Sequence, residues 1–183
     1  MKHFYRKIQG WGITKYGKLY SHMVSRAKNN SHFVEIGAWK GKSTAYMAVE
    51  IANSGKTIKF DTVDTWLGSE ESTHHKDPAV ISGTLYELFL ENIKPARDHI
   101  NPIRSTSVTA AKLYQDHSLD FVFIDASHRY ENVRQDIEHW LPKVKSGGMI
   151  AGDDIRWASV RKAVKELLPE YENCGRWWQY HVD

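Results

Sequence analysis

The chain has one cysteine, Cys174, and five prolines in 183 residues. A single cysteine excludes a disulfide framework and any cysteine-only metal cluster. No stretch approaches the roughly 18 consecutive apolar residues of a membrane helix, so no membrane partner is expected. The start, Met1-Lys2-His3-Phe4-Tyr5-Arg6-Lys7, has no apolar run behind it and does not read as a signal peptide; the expected address is cytoplasmic. Charge of one sign is scarce too: 25 Lys and Arg against 22 Asp and Glu leave a net +3, with the basic residues interleaved among acids. Nucleic acid is therefore not an expected partner. Repeats, low-complexity tracts and Pro/Ser-rich linkers are all absent, which predicts a single domain over residues 1–183. What is present, 41% hydrophobic and 26% charged residues, is enough apolar material for a core and excludes disorder as the main theme.

Strand and helix patterns alternate. His32 to Ile36 is a short apolar run that stops at Gly37, and residues 42–51 carry Ala45, Met47, Ala48 and Ile51 at helical spacing. Thr57 to Asp64 reads as a second strand, introduced by the Asn53-Ser54-Gly55 turn. A helical pattern covers 79–94, a weak strand 100–104, and a short helix 107–115. Leu119 to Ile124 is the strongest strand signal, and a helix follows over 130–143 with Val133, Ile137, Trp140 and Leu141 on one stripe. Gly147 to Gly152 reads as a strand, 157–168 as a helix, and Trp177 to Val182 as a terminal strand. Buried strands separated by helices predict an α/β, doubly wound, mostly parallel sheet. Ligands of such sheets bind beyond the carboxyl ends of the strands, near the switch point.

After the first strand comes Glu35-Ile36-Gly37-Ala38-Trp39-Lys40-Gly41-Lys42-Ser43-Thr44. A phosphate-wrapping P-loop needs four residues between its first glycine and Gly-Lys-Ser; here only Ala38, Trp39 and Lys40 intervene. The dinucleotide fingerprint is missing as well. What remains is a strand-turn-helix loop with an acid at the strand end. Its glycines admit a close backbone approach, the helix start offers amides to a carboxylate, and Glu35 can bind an ammonium; the competing reading is a tight turn with Glu35 capping it. Asp64 ends the second strand, where a carboxylate commonly chelates a ribose diol; a helix cap or turn aspartate is the alternative. Together the two sites suggest an adenosyl group carrying an amino acid, S-adenosylmethionine.

The next strand ends run Asp125-Ala126-Ser127-His128 and Gly152-Asp153-Asp154. Three carboxylates this close repel one another, and a hard divalent cation such as Mg²⁺ neutralises them economically. One of Asp153 and Asp154 can instead cap the helix beginning near Trp157, but not both. His128, on the turn leaving the strand, is suited to take a proton from a hydroxyl beside the metal, although a lone histidine is more often structural.

These segments, 33–44, 63–66, 121–128 with Tyr130, and 147–154, resemble the class I S-adenosylmethionine-dependent methyltransferases. Within them the chain is most similar to the group holding metal-dependent sugar O-methyltransferases of macrolide and related pathways. The resemblance implies the strand order 3-2-1-4-5-7-6. It implies that Glu35, Gly37 and Gly41 hold the methionine part and Asp64 the ribose, that Ser105 and Ser107 fall where the adenine neighbourhood is built, and that Ala38, Trp39, Ser43, Thr65, Trp66 and Asp125 complete the cofactor-binding set. Asp125, Asp153 and Asp154 match the metal ligands, and His128 the general base. The leading thirty or so residues are fewer than that group usually carries, which leaves the acceptor the least transferable part.

The expected activity is metal-assisted O-methylation of a hydroxylated small molecule, a sugar or a phenol. Residues 1–30 are expected to form a helical extension and 68–84 a lid over the acceptor site, with a plain solvated loop as the alternative for the latter. Competing functions are a metal-independent or nitrogen-directed methyltransferase, a nicotinamide-dependent oxidoreductase, and a non-catalytic S-adenosylmethionine-binding protein. A homo-oligomer is compatible with the sequence.

Overall fold

The computed structural model describes residues 1–10, 12–69 and 73–183. Among these, seven strands form one sheet: β1 (Ser31–Ile36), β2 (Ile58–Asp64), β3 (Asn101–Arg104), β4 (Leu119–Ile124), β5 (Val144–Gly152), β6 (Glu172–Asn173) and β7 (Trp178–His181), in the order β3-β2-β1-β4-β5-β7-β6. β1 to β5 run parallel, and β7 enters antiparallel between β5 and β6. The doubly wound reading and its strand order hold.

Alternate side chains of the central strands bury on opposite faces. Phe33, Phe60, Phe121 and Phe123 point to one side, Val34, Ile36, Val63 and Val122 to the other. The first face is covered by α1 (Ile13–Arg26), α2 (Lys42–Ser54) and α4 (Leu85–Ile93), with the one-turn α3 (Pro78–Ile81) beside them. The second is covered by α5 (Ser107–Ala111), α6 (Tyr130–Trp140) and α7 (Ala158–Leu167). The helical extension predicted over 1–30 contains α1. Its Ile13, Tyr16, Leu19, Tyr20 and Val24 recur at helical spacing and are buried, Tyr16 and Tyr20 against Phe123. Each such fully buried side chain contributes about 1.5–3 kcal/mol.

Several element boundaries differ from the sequence pattern, among them the helix expected over 107–115, which is the five-residue Ser107–Ala111. The helix expected over 79–94 is two helices, because Gly83 sits at φ +71 and ends the first before α4 starts. The helix expected to 143 stops at Trp140, and Pro142 continues it only as a 3-10 turn. β5 begins at Val144, three residues early, through a register shift opposite Leu119 and Phe121. No helix among the described residues is long and apolar enough to cross a membrane.

Register assembles the crevice. Ile36 pairs with both Val63 and Ile124, and Ile124 with Gly152. The residues that follow, Gly37, Asp64, Asp125 and Asp153, therefore emerge side by side where the strand order reverses.

Candidate active site

A cavity of about 610 Å³ opens at that reversal. Of the predicted site residues, Gly37, Trp39, Asp64, Thr65, Ser105, Ser107 and Asp125 line it. Gly37 has φ +90, and a Cβ built there would lie 2.0 Å from the Asp125 carbonyl oxygen. Only glycine permits this approach of the β1 and β4 ends.

Asp64 shapes the turn from below. Its Oδ2 accepts from the Ala38 and Trp39 amides at 2.8 and 2.9 Å, and its Oδ1 from the Trp66 amide at 2.8 Å. A carboxylate has about four acceptor positions, so about one remains after these three bonds. Trp66 is scaffold: its ring packs on Tyr86 and Phe89, and its Nε1 donates to the Trp39 carbonyl at 3.0 Å. Gly41, at φ +87, is required by packing, since a Cβ there would meet Ile93 at 2.8 Å and Phe89 at 3.0 Å. Glu35 lies beneath the turn rather than in the cavity wall. Its carboxyl accepts from Tyr20 at 3.0 Å, Thr62 at 3.1 Å and Thr44, and Ser43 bonds to it from the first turn of α2. Burial pushes its pKa up. The placement makes Glu35 a tie between α1, β2 and α2.

The acidic group lies at the cavity edge. Asp125 Oδ2 accepts from the Tyr16 hydroxyl at 2.9 Å, and burial together with the charges of Asp153 and Asp154 pushes its pKa up to about 7. His128 Nε2 lies 2.8 Å from Asp154 Oδ2, and the imidazole stacks on the Trp157 indole at 4.7 Å. Ligand atoms of Asp125, His128 and Asp154 all lie within 4.8 Å of one another. Asp153 is buried next to this group without belonging to it. Trp157 occupies the N-cap position of α7, so neither aspartate is spent there. A nitrogen and two carboxylates in this space, one of them hard to ionise beside its like-charged neighbours, fit a divalent cation.

The wall opposite holds a residue that sequence reasoning missed. Asp136 lines the cavity at 4% exposure. The Trp140 indole donates to Ser107 Oγ at 2.9 Å, and Ser107 partly offsets the effect of burial on the Asp136 carboxyl. The signal was its position: Val133, Asp136, Ile137 and Trp140 form the buried stripe of α6, and a carboxyl in such a stripe is out of place. Burial raises its pKa to about 6 from the ordinary 3.8. For an acid raised on folding, the associated stability is present below the unfolded value and lost as pH rises through the folded one. Asp136→Asn is expected to flatten the fall in stability between about pH 4 and pH 6, a difference of about 3 kcal/mol at most. Denaturant unfolding across that range checks it.

Of the segment read as a lid, residues 70–72 lie outside the described residues. On its far side, Trp39 stacks on His74 at 4.0 Å, and Lys40 Nζ reaches Asp77 at 2.6 Å and Gln9 at 2.7 Å. The segment is thus tied to the glycine turn through residues adjacent in sequence.

Residues 34–155, from β1 through the acidic group, match a protein family described as a methyltransferase domain. The chain belongs to that family. Its strand order is that of the class I, S-adenosylmethionine-dependent methyltransferases. Over 166 residues this chain is 26% identical to the flavonoid 3',5'-methyltransferase of Vitis vinifera, covering 86% of this chain and 62% of the relative. It is 23% identical over 152 residues to the uncharacterized protein y4gI of Sinorhizobium fredii, covering 83% of this chain but 16% of the relative. Both relatives therefore extend well beyond the matched region. In fold it is similar to the O-methyltransferase NovP, with a TM-score of 0.67 and 16% identity over 92% of this chain and 79% of that one.

Proposed function

We propose that this methyltransferase moves the methyl group of S-adenosylmethionine to an oxygen of a small hydroxylated acceptor, assisted by a divalent cation. The observation that carries the reading is the cavity at the strand reversal, with Gly37 and Asp64 in one wall and Asp125 at the edge shared with His128 and Asp154. A flavonoid methyltransferase and an O-methyltransferase among its relatives support an oxygen acceptor.

When bound, the donor supplies an electrophilic methyl group, and the cation, Mg²⁺ by the oxygen-rich ligand set, acidifies a hydroxyl. The chain's own residues do the rest. Gly37 lets the backbone approach the amino-acid part, and the remaining acceptor capacity of Asp64 takes ribose hydroxyls. Asp125 and Asp154 would hold the cation, and His128, oriented by Asp154 and Trp157, would receive the acceptor's proton. Alignment of acceptor oxygen and methyl carbon provides most of the rate. We also propose that residues 1–183 make one methyltransferase domain, with 68–84 covering the acceptor side.

The distances favour a second role for His128, as third ligand beside Asp125 and Asp154. His128→Ala separates the two. A base predicts Mg²⁺ affinity retained and turnover lost by about 10²–10⁴-fold; a ligand predicts Mg²⁺ affinity reduced as well. For the function as a whole, S-adenosylhomocysteine release is measured across a panel of sugars and phenols, with Mg²⁺ or with chelator. Calorimetry with S-adenosylmethionine and NAD runs beside it. Binding of NAD in place of S-adenosylmethionine would overturn the donor, and turnover indifferent to chelator would overturn the cation.

A further inference from the structure

Within the acidic group, His128 and Asp154 hold each other at 2.8 Å, while Asp125 is held from a distant part of the chain. Its Oδ2 accepts from the hydroxyl of Tyr16 at 2.9 Å. Tyr16 lies on α1, which precedes the residues 34–155 that match the methyltransferase family. The N-terminal helix therefore reaches the site from outside the matched region.

The hydroxyl is firmly placed. The Tyr16 side chain is 1% exposed, and its ring centroid lies 4.4 Å from that of Phe123 and 5.3 Å from that of Tyr20. Packing on this scale leaves a phenol ring no second rotamer. Gly12 closes the remaining side, since a Cβ there would lie 2.5 Å from the Tyr16 oxygen. A carboxyl, by contrast, turns easily about its last torsion unless a partner fixes it. The bond to Oδ2 fixes the plane of the Asp125 carboxyl, and with it the way that carboxyl faces His128 and Asp154. Mg²⁺ requires near-ideal octahedral geometry, so a ligand free to turn binds it less well. Partners one bond removed from a metal are typically worth 10–100-fold in its affinity.

Resting on the cation proposed above, we infer that Tyr16 is a positioning residue of the cation site, holding the Asp125 carboxyl in the orientation that takes Mg²⁺. Tyr20, one turn further along α1, supplies the comparison. It is equally buried and donates to a different acid, Glu35, at 3.0 Å.

The test is calorimetric titration of the full chain with Mg²⁺, with thermal unfolding in chelator beside it. Tyr16→Phe and Tyr20→Phe each remove one buried hydroxyl from the same helix and keep the ring, so both should melt about 2–4 °C lower. Only Tyr16→Phe should weaken Mg²⁺, by about tenfold or more. Gly12→Ala keeps the hydroxyl but displaces it, and should weaken Mg²⁺ too; it carries the test if Tyr16→Phe does not unfold cooperatively. An equal loss of Mg²⁺ affinity in Tyr20→Phe would make α1 a general support of the sheet edge and overturns the inference. Mg²⁺ binding by the wild type that neither Tyr16→Phe nor Gly12→Ala weakens overturns this inference alone. A wild type that takes up no Mg²⁺ removes the cation and this inference with it.

Discussion

Gly37→Ala is expected to unfold at least about 6 °C below the wild type and to lose measurable S-adenosylhomocysteine binding. The new Cβ would sit 2.0 Å from the carbonyl oxygen of Asp125 and 2.6 Å from its carbonyl carbon, at φ +90. A left-handed conformation alone costs a residue with a Cβ about 1–2 kcal/mol. The greater cost is that no side-chain rotation relieves a clash with backbone. The β1 and β4 ends must separate, which strains the bonds from the Gly37 amide to Val63 and from the Asp125 amide to Ile36, both 2.8 Å. A total of about 3 kcal/mol or more, at 2–4 °C per kcal/mol for a chain of this size, gives the shift. Thermal unfolding and calorimetry are the measurements. Gly55→Ala is the control: its φ is +67, but a Cβ there would meet nothing within 4 Å, so it should show the left-handed cost alone and leave ligand binding untouched.

Asp125→Asn is expected to move activity and stability in opposite directions. Methyl transfer to a hydroxyl acceptor should fall by about 10²-fold or more, since a ligand to the cation and its charge are removed together. In chelator at pH 8 the same variant should melt several degrees higher than the wild type. The sign follows from the raised pKa. Burial and the charges of Asp153 and Asp154 hold the Asp125 carboxyl at about 7 against an ordinary 3.8. The stability tied to its proton is present below the unfolded value and is lost as pH rises through about 7. Above that, the folded chain carries an unfavourable charge worth about 4 kcal/mol at most. Asparagine removes the charge, keeps the shape, and still accepts from the Tyr16 hydroxyl. Added Mg²⁺ should raise the melting temperature of the wild type and leave the variant where it was. A variant less stable than the wild type in chelator would show that like-charge repulsion is not what strains this site.

Much of the sheet was legible because its strands are buried on both faces. Runs such as Phe121 to Ile124 are apolar throughout, and a run of that kind ending in Gly or Asp has few alternatives to a central parallel strand. The acids at two strand ends were legible for the same reason, since Asp125 and Asp153 each interrupt an apolar run at its end, while Asp64 closes the more mixed run Ile58 to Val63. β6 was not legible: two residues carry no period, and only pairing with β7 makes them a strand. Asp136 falls on the same stripe as Val133, Ile137 and Trp140, so its inward position was legible; that it lines the cavity was not, because that depends on where α5 and the sheet meet α6.

The sequence by itself determined the layers, the order of elements and the set of residues at the carboxyl edge, because apolar period and glycine position are local properties of the chain. Only the tertiary structure decided how those residues divide their work. Strand register set Gly37 against Asp125, helix packing drew Glu35 beneath the turn and Gly41 against Phe89, and the approach of α7 brought Asp154 to His128. Each of these is a contact between residues far apart in the chain, and a carboxylate's role is settled by the partners that reach it rather than by its neighbours in sequence.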